Sequence, residues 1–171
     1  MKKLLVLIAA AFMCTGLFAQ TVKGWSPYSD VDNGGSSTAK VTVNNGVTTV
    51  AGTVTTKYQY GYAGLTMNSD PEFISALKTA KGVKVTVKGD GKKYNFRVET
   101  NDRPDYCFHQ FTVTAGAKET TYEIPFSKLA QESWGKKKAF VPENITQVSF
   151  QTVGQPISSY SFDVVKVEVM K

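Results

Sequence analysis

Three observations predict an all-β fold, a two-sheet antiparallel β-sandwich with one or two short helices. About eight stretches are rich in β-branched or aromatic residues, or alternate polar with apolar ones. Turn signals built on Gly and Asn separate them. Helical periodicity is almost missing, which argues against the layered α/β and all-α classes.

Taken in order, residues 20–37 are rich in Gly, Ser, Asp and Asn, with Trp25 and Tyr28 embedded, and read as an ordered surface segment. Val41 to Val43 and Val47 to Val54 are β-branched runs split by Asn44-Asn45-Gly46, a hairpin signal because Asn and Gly tolerate positive φ. Tyr58, Tyr60 and Tyr62 alternate with Lys57, Gln59 and Gly61, so as a strand they share one face. Ser69-Asp70-Pro71-Glu72 before Phe73, Ile74 and Leu77 is a helix start, with a cap, a proline in the first turn and one apolar face. Val83, Val85 and Val87 alternate with polar residues, and Gly89-Asp90-Gly91 then turns the chain into Tyr94, Phe96 and Val98. Residues 107–114, 119–124, 147–153 and 161–169 are four more strand-like stretches. Pro125 lacks an N–H and ends a ladder, and Ser127 to Glu132 suggests one short helical turn.

The amino terminus predicts the compartment. Lys2 and Lys3 precede an apolar run from Leu4 to Phe18, which reads as a signal peptide over residues 1–19. The run is shorter than the roughly 20 residues a spanning helix needs. The expected product, residues 20–171, has the size of one domain and is periplasmic or secreted. Cys14 would anchor a lipoprotein alternative, although Phe12 and Met13 are bulky for a lipobox. Cys107 is then the sole mature cysteine, so the fold rests on its core and not on an internal disulfide. The lysines are dispersed apart from Lys136 to Lys138, and no nucleic-acid motif accompanies them.

Sugar recognition calls for flat aromatic faces beside planar polar groups. The chain has 8 tyrosines and 2 tryptophans to supply the former. The face bearing Tyr58, Tyr60 and Tyr62 is either core or a wet binding surface. Arg97 and Glu99 share a strand face with Asn95 and Asn101, either as an exposed ion pair or as the floor of a groove. Cys107 and His109 alternate with Phe111, a poor geometry for a nucleophilic pair and a good one for a packed inner face. Glu99, Asp102, Asp105 and Glu132 could be imagined as paired carboxylates, but no catalytic motif supports them. No enzyme activity is expected.

Several landmarks resemble a known family. Val83 to Gly91 followed by Tyr94 to Val98 resembles the paired-strand signature of the complex I intermediate-associated protein family. Tyr122-Glu123-Ile124-Pro125-Phe126-Ser127 resembles its next landmark, and Asn33-Gly34-Gly35-Ser36-Ser37 its early Gly-Gly-Ser-Ser segment. Trp134-Gly135-Lys136 falls where that family carries Arg-Gly-Arg. The same landmarks occur in family 11 carbohydrate-binding modules, which share the galactose-binding-like jelly roll. There Trp25 to Ser29 and Ile145 to Phe150 also find counterparts.

The resemblance implies a ligand set. Tyr28 and Tyr62 sit where those modules carry stacking tyrosines. Arg97 and Glu99 lie on a strand of the cleft-forming sheet. Tyr106 falls near a contacting histidine, Gln151 and Thr152 on a contacting late strand, and Trp134 in a contacting loop. That loop's arginine and aspartate have no match here, so the β-glucan-type set is not reproduced. Such jelly rolls often hold a structural calcium. Asp30, Asp32 and Asp163 are few acidic ligands for an ion that wants six to eight oxygens, so no cofactor is expected, with a structural calcium as the alternative. The expected function is an exported module binding an oligo- or polysaccharide on a concave sheet. The alternative is an envelope or assembly protein that uses the same face for a protein partner.

Overall fold

The computed structural model describes residues 24–171. The expected signal peptide and Cys14 lie outside the described residues. Eleven strands run in chain order: β1 (Ser26–Ser29), β2 (Thr38–Asn44), β3 (Val47–Val54), β4 (Ala63–Met67), β5 (Gly82–Gly89), β6 (Lys93–Thr100), β7 (His109–Thr114), β8 (Thr120–Pro125), β9 (Ala130–Gln131), β10 (Ile145–Thr152) and β11 (Ile157–Met170). One α-helix, α1 (Pro71–Leu77), joins β4 to β5, and short 3₁₀ turns cover Asp30–Asn33, Phe126–Lys128 and Pro142–Asn144. The strands form two antiparallel sheets, β1-β4-β10-β6-β7-β9 and β2-β3-β11-β5-β8. This is the expected sandwich.

Local chemistry explains the elements. Asn45 and Gly46 both adopt positive φ, 49° and 80°, so the β2–β3 hairpin turns as its sequence requires. The Asp70 side chain accepts a hydrogen bond from Phe73 N at 2.9 Å, and Pro71 opens α1 where no donor is needed. Phe73 and Leu77 then bury one stripe of the helix against the core.

The core lies between the two sheets. Val83, Val85 and Val87 of β5, Tyr94, Phe96 and Val98 of β6, and Val148 and Phe150 of β10 point inward. Rings interlock in the core: Tyr94 and Phe150 meet Phe162 across the layers at 3.9 and 5.8 Å between centroids, and Phe150 also meets its cross-strand neighbour Phe96 at 5.2 Å and Trp25, just before β1, at 5.7 Å. The long β11 keeps its apolar residues inward by a bulge between Val164 and Lys166. Before it the buried positions are 160, 162 and 164, and after it Val167 takes over.

One expected strand is absent. The segment carrying Tyr58, Tyr60 and Tyr62 is a loop between β3 and β4, tightened by a hydrogen bond from Gly61 N to Tyr58 O at 3.0 Å. Among the described residues, no helix is long and apolar enough to cross a bilayer.

The two outer faces differ. That of the five-stranded sheet carries exposed cross-strand pairs such as Lys84–Glu123 and Lys88–Glu119. That of the six-stranded sheet carries buried or half-buried tyrosine, amide and arginine side chains, and it is the candidate site.

The aromatic stack at the sheet interface should dominate stability. Phe150→Ala removes a fully buried ring that touches Trp25, Phe96 and Phe162. Urea unfolding should show a loss of about 3–5 kcal/mol. A loss under about 1 kcal/mol would contradict this packing.

Candidate functional site

Register sets the site. One row across the six-stranded sheet reads Tyr28, Gly64, Gln151, Asn95, Thr112 from β1 to β7. The next row reads Ser26, Thr66, Ser149, Arg97, Gln110, Ala130 and reaches β9. Gly64 matters in the first row. A Cβ there would sit 1.9 Å from Phe150 O, so only glycine fits. With no side chain between them, Tyr28 OH reaches across β4 and donates to Gln151 Oε1 at 3.0 Å.

Arg97 is the hub of the floor and is only 8% exposed. Its Nη1 donates to Gln151 Oε1 and its Nε to Gln110 Oε1, the latter at 2.9 Å. Its Nη2 lies 3.6 Å from Glu132 Oε1, which also accepts from Gln110 Nε2 at 3.1 Å. Thr112 Oγ1 donates to Asn95 Oδ1 at 2.8 Å. Further along, Glu99 Oε1 accepts from Gln147 Nε2 at 2.8 Å, and Glu99 Oε2 lies 3.5 Å from Arg103 Nη1. The Phe108 ring meets two guanidinium groups, Arg97 at 4.6 Å and Arg103 at 4.2 Å from its centroid.

Four tyrosines gather at the opposite end. Tyr28 and Tyr62 lie 5.7 Å apart, Tyr62 and Tyr58 6.5 Å, and Tyr58 and Tyr60 5.7 Å between centroids. Asn33 Nδ2 donates to Tyr62 OH at 2.8 Å. The buried Asp30 fixes this end. Its carboxylate accepts from Ser37 N and Oγ at 2.9 and 2.6 Å and from Tyr62 N at 3.3 Å, while Asp30 N donates to Tyr62 O. Burial pushes the Tyr28 hydroxyl well above the ordinary tyrosine range and raises that of Tyr62.

The structure brings Tyr28, Tyr62, Arg97, Glu99 and Gln151 onto one face. Tyr62 is half-buried and not a core residue. Arg97 differs from the expected ligand contact: its guanidinium is engaged by protein groups and covered by Phe108. Tyr106 is 73% exposed and joins the far end through Arg103, 5.4 Å from its ring. Trp134 is 52% exposed on the loop after Glu132, where its carbonyl accepts from Cys107 Sγ at 2.9 Å. Thr152 corrects the expectation. Strand alternation lets only one of Gln151 and Thr152 face outward, and Thr152 is buried, bonded to the backbone of Ala63.

Asn33, Phe108, Gln110 and Gln147 join the site without having been expected there. Alternation from Gln110 to Phe108 and Thr112 was the available signal, but it acquires meaning only once β7 is paired with β6. His109 packs against Phe140, with Nε2 3.1 Å from Lys138 O, and burial lowers its pKa. Asp163 lies on the other sheet with Thr49 and Lys88, so it does not join Asp30.

The sequence model of the complex I intermediate-associated protein 30 (CIA30) family matches residues 17–164. The chain belongs to that family. No curated protein matches it closely enough to count as a relative. Solved structures share the fold of this family member. The family 11 carbohydrate-binding module of the cellulosomal cellulase Lic26A-Cel5E of Clostridium thermocellum superposes with a TM-score of 0.63 at 20% identity, over 88% of this chain and 89% of that one. A family 11 module from Clostridium thermocellum in complex with a β-1,3-1,4-mixed-linked tetrasaccharide gives 0.58 at 18% identity, over 92% and 91%. A family 30 carbohydrate-binding module gives 0.52 at 19% identity, over 88% and 93%.

The floor carries a pH signature. Burial raises the Glu99 carboxyl above the usual carboxylate range against the pull of Arg103, Gln147 and Arg97. The folded protein therefore keeps this proton to a higher pH than the unfolded chain, and stability from this group falls as pH rises from the ordinary value through the raised one. Glu99→Gln abolishes that titration. Apart from a constant offset, the variant should gain in melting temperature relative to wild type as pH rises from about 4 to 7. The opposite slope would contradict the burial of Glu99.

Proposed function

We propose that this chain is an exported, non-catalytic protein that binds glycans on the outer face of its six-stranded sheet. The carrying observation is the tyrosine cluster contiguous with a hydrogen-bonded amide floor, on a face that the second sheet does not cover. Tyr28, Tyr62, Tyr58 and Tyr60 supply aromatic surface, and Gln151 and Asn33 supply planar polar groups beside it. Stacking on sugar C–H faces with hydroxyls held at the rim is the chemistry this combination suits. The shared fold with carbohydrate-binding modules supports the reading, although a fold hosts many functions. Arg97 acts in it as an organiser of the floor.

The family name favours a second reading, a protein partner in envelope assembly. The exposed side chains of Tyr106, Trp134 and Val141 would provide apolar contact for it. A stoichiometric protein partner recovered from envelope extract, with no glycan bound at millimolar concentration, would favour this reading over the first.

A glycan array with purified residues 20–171 tests the proposal, and release of reducing ends from any bound polymer would overturn its non-catalytic part. Tyr62→Ala should weaken glycan binding by about 1–3 kcal/mol, roughly tenfold to hundredfold. Its melting temperature should change little, because the ring is half exposed before ligand arrives. A variant that melts far earlier yet binds normally when folded would remove Tyr62 from the site.

A further inference from the structure

We infer that Phe108 walls off the β6–β7 side of this face, so that the site receives the end of a glycan chain, a few sugar rings, and not the middle of a polymer. This rests on the glycan-binding reading above and specifies which part of a glycan fits.

The wall is a continuous set of contacts from floor to solvent. Arg97 lies buried at the bottom. Phe108 precedes β7 and shares the face of Gln110 and Thr112 by alternation; its half-buried ring covers the Arg97 guanidinium. Arg103 lies over the same ring, and the exposed Tyr106 ring stands beside Arg103. A chain resting on Tyr28 and Tyr62 and running across the strands over Gln151 meets this stack at β6. From β1 to β6 is three strand spacings, roughly 14 Å.

The wall is braced. Glu99 holds Arg103 from the floor. Asp105 accepts from Cys107 N at 2.8 Å and from Lys136 N at 2.7 Å, and Asp102 pairs with Lys138 Nζ at 3.1 Å. The first of these folds the segment on itself, and the Lys136 and Lys138 contacts tie it to the loop after β9. At the tyrosine end, among the described residues, the Tyr60 ring is 67% exposed.

Counting chain ends tests this. Mixed-linkage β-1,3-1,4-glucan, xylan and galactan are titrated calorimetrically against residues 20–171, each intact and after partial acid hydrolysis at equal mass. Sites per gram should rise in proportion to the number of ends, and a tetrasaccharide should bind as tightly as longer oligomers. Phe108→Ala, checked for an intact melting transition, should add sites several-fold on the intact polymer. Sites per gram unchanged by hydrolysis in the wild-type protein would overturn the inference and leave the glycan reading standing; that measurement needs no variant. No heat from any of the three, intact or cut, would overturn both.

Discussion

A guanidinium laid on the outer face of a sheet and sealed from water must find all its partners within the protein. Arg97 finds them in Gln151 of β10, Gln110 of β7 and Glu132 beyond β9. Removing one partner from a buried ionic group leaves charge uncompensated, which is strongly destabilising. The requirement also fixes register. Arg97 sits between Phe96 and Val98, both inside the sandwich, so a one-residue slip of β6 would drive the charge into the core and two apolar side chains onto the face. The hydrophobic core and the polar floor therefore demand the same pairing of β6 with β7 and β10. Both faces of the strand act together to hold the site in place.

The loops are then hung from this frame by a second buried charge. The Asp30 carboxylate collects donors from Ser37 and from Tyr62 N, so the turn after β1 and the approach to β4 are held as one unit. Ser37 Oγ in turn accepts from Thr55 N at the end of β3. Two tyrosines 34 positions apart in sequence, Tyr28 and Tyr62, meet because β1 pairs with β4 and because Asp30 ties the segments that follow and precede those strands. Gly-Gly-Ser-Ser in the sequence is the outward sign of this clamp. A Cβ on Gly35 would fall 2.1 Å from Asp30 Oδ1, so the glycine makes room for the carboxylate.

Alternation made the central strands legible: β5, β6, β10 and β11 bury the residues their patterns mark. The Asn-Gly hairpin and the Asp-Pro helix start were legible because their signals are local. β1, β4 and β9 were not. They are short, β4 is interrupted by Gly64, and only their neighbours make them strands. The tyrosine segment was misread because period two in three aromatic residues does not require a ladder; a loop tightened at Gly61 clusters the same rings. In the site, residues with a motif to point to them, Tyr28, Tyr62, Arg97 and Gln151, could be named from sequence. Phe108 and Gln110 could not, since their position over and beside Arg97 depends on cross-strand register. Thr152 was lost to the elementary rule that neighbours in a strand face opposite ways.

The charge on Arg97 has a further effect on the chemistry the face presents. A primary amide offers one oxygen and one NH₂, and which of them faces outward is set by its surroundings. Gln151 Oε1 accepts from both Arg97 and Tyr28, and Arg97 fixes this orientation, because a guanidinium has no lone pair to offer an amide NH₂. The amide nitrogen is thereby turned away from the floor, and among the described residues it has no protein acceptor. Gln110 obeys the same rule, with its oxygen on Arg97 Nε and its nitrogen on Glu132. An arginine that does not itself reach the open surface thus sets the polarity of a residue that does. It makes the floor beside Tyr28 a donor surface, one that favours lone-pair oxygens such as those of hydroxyls and acetals over cationic groups.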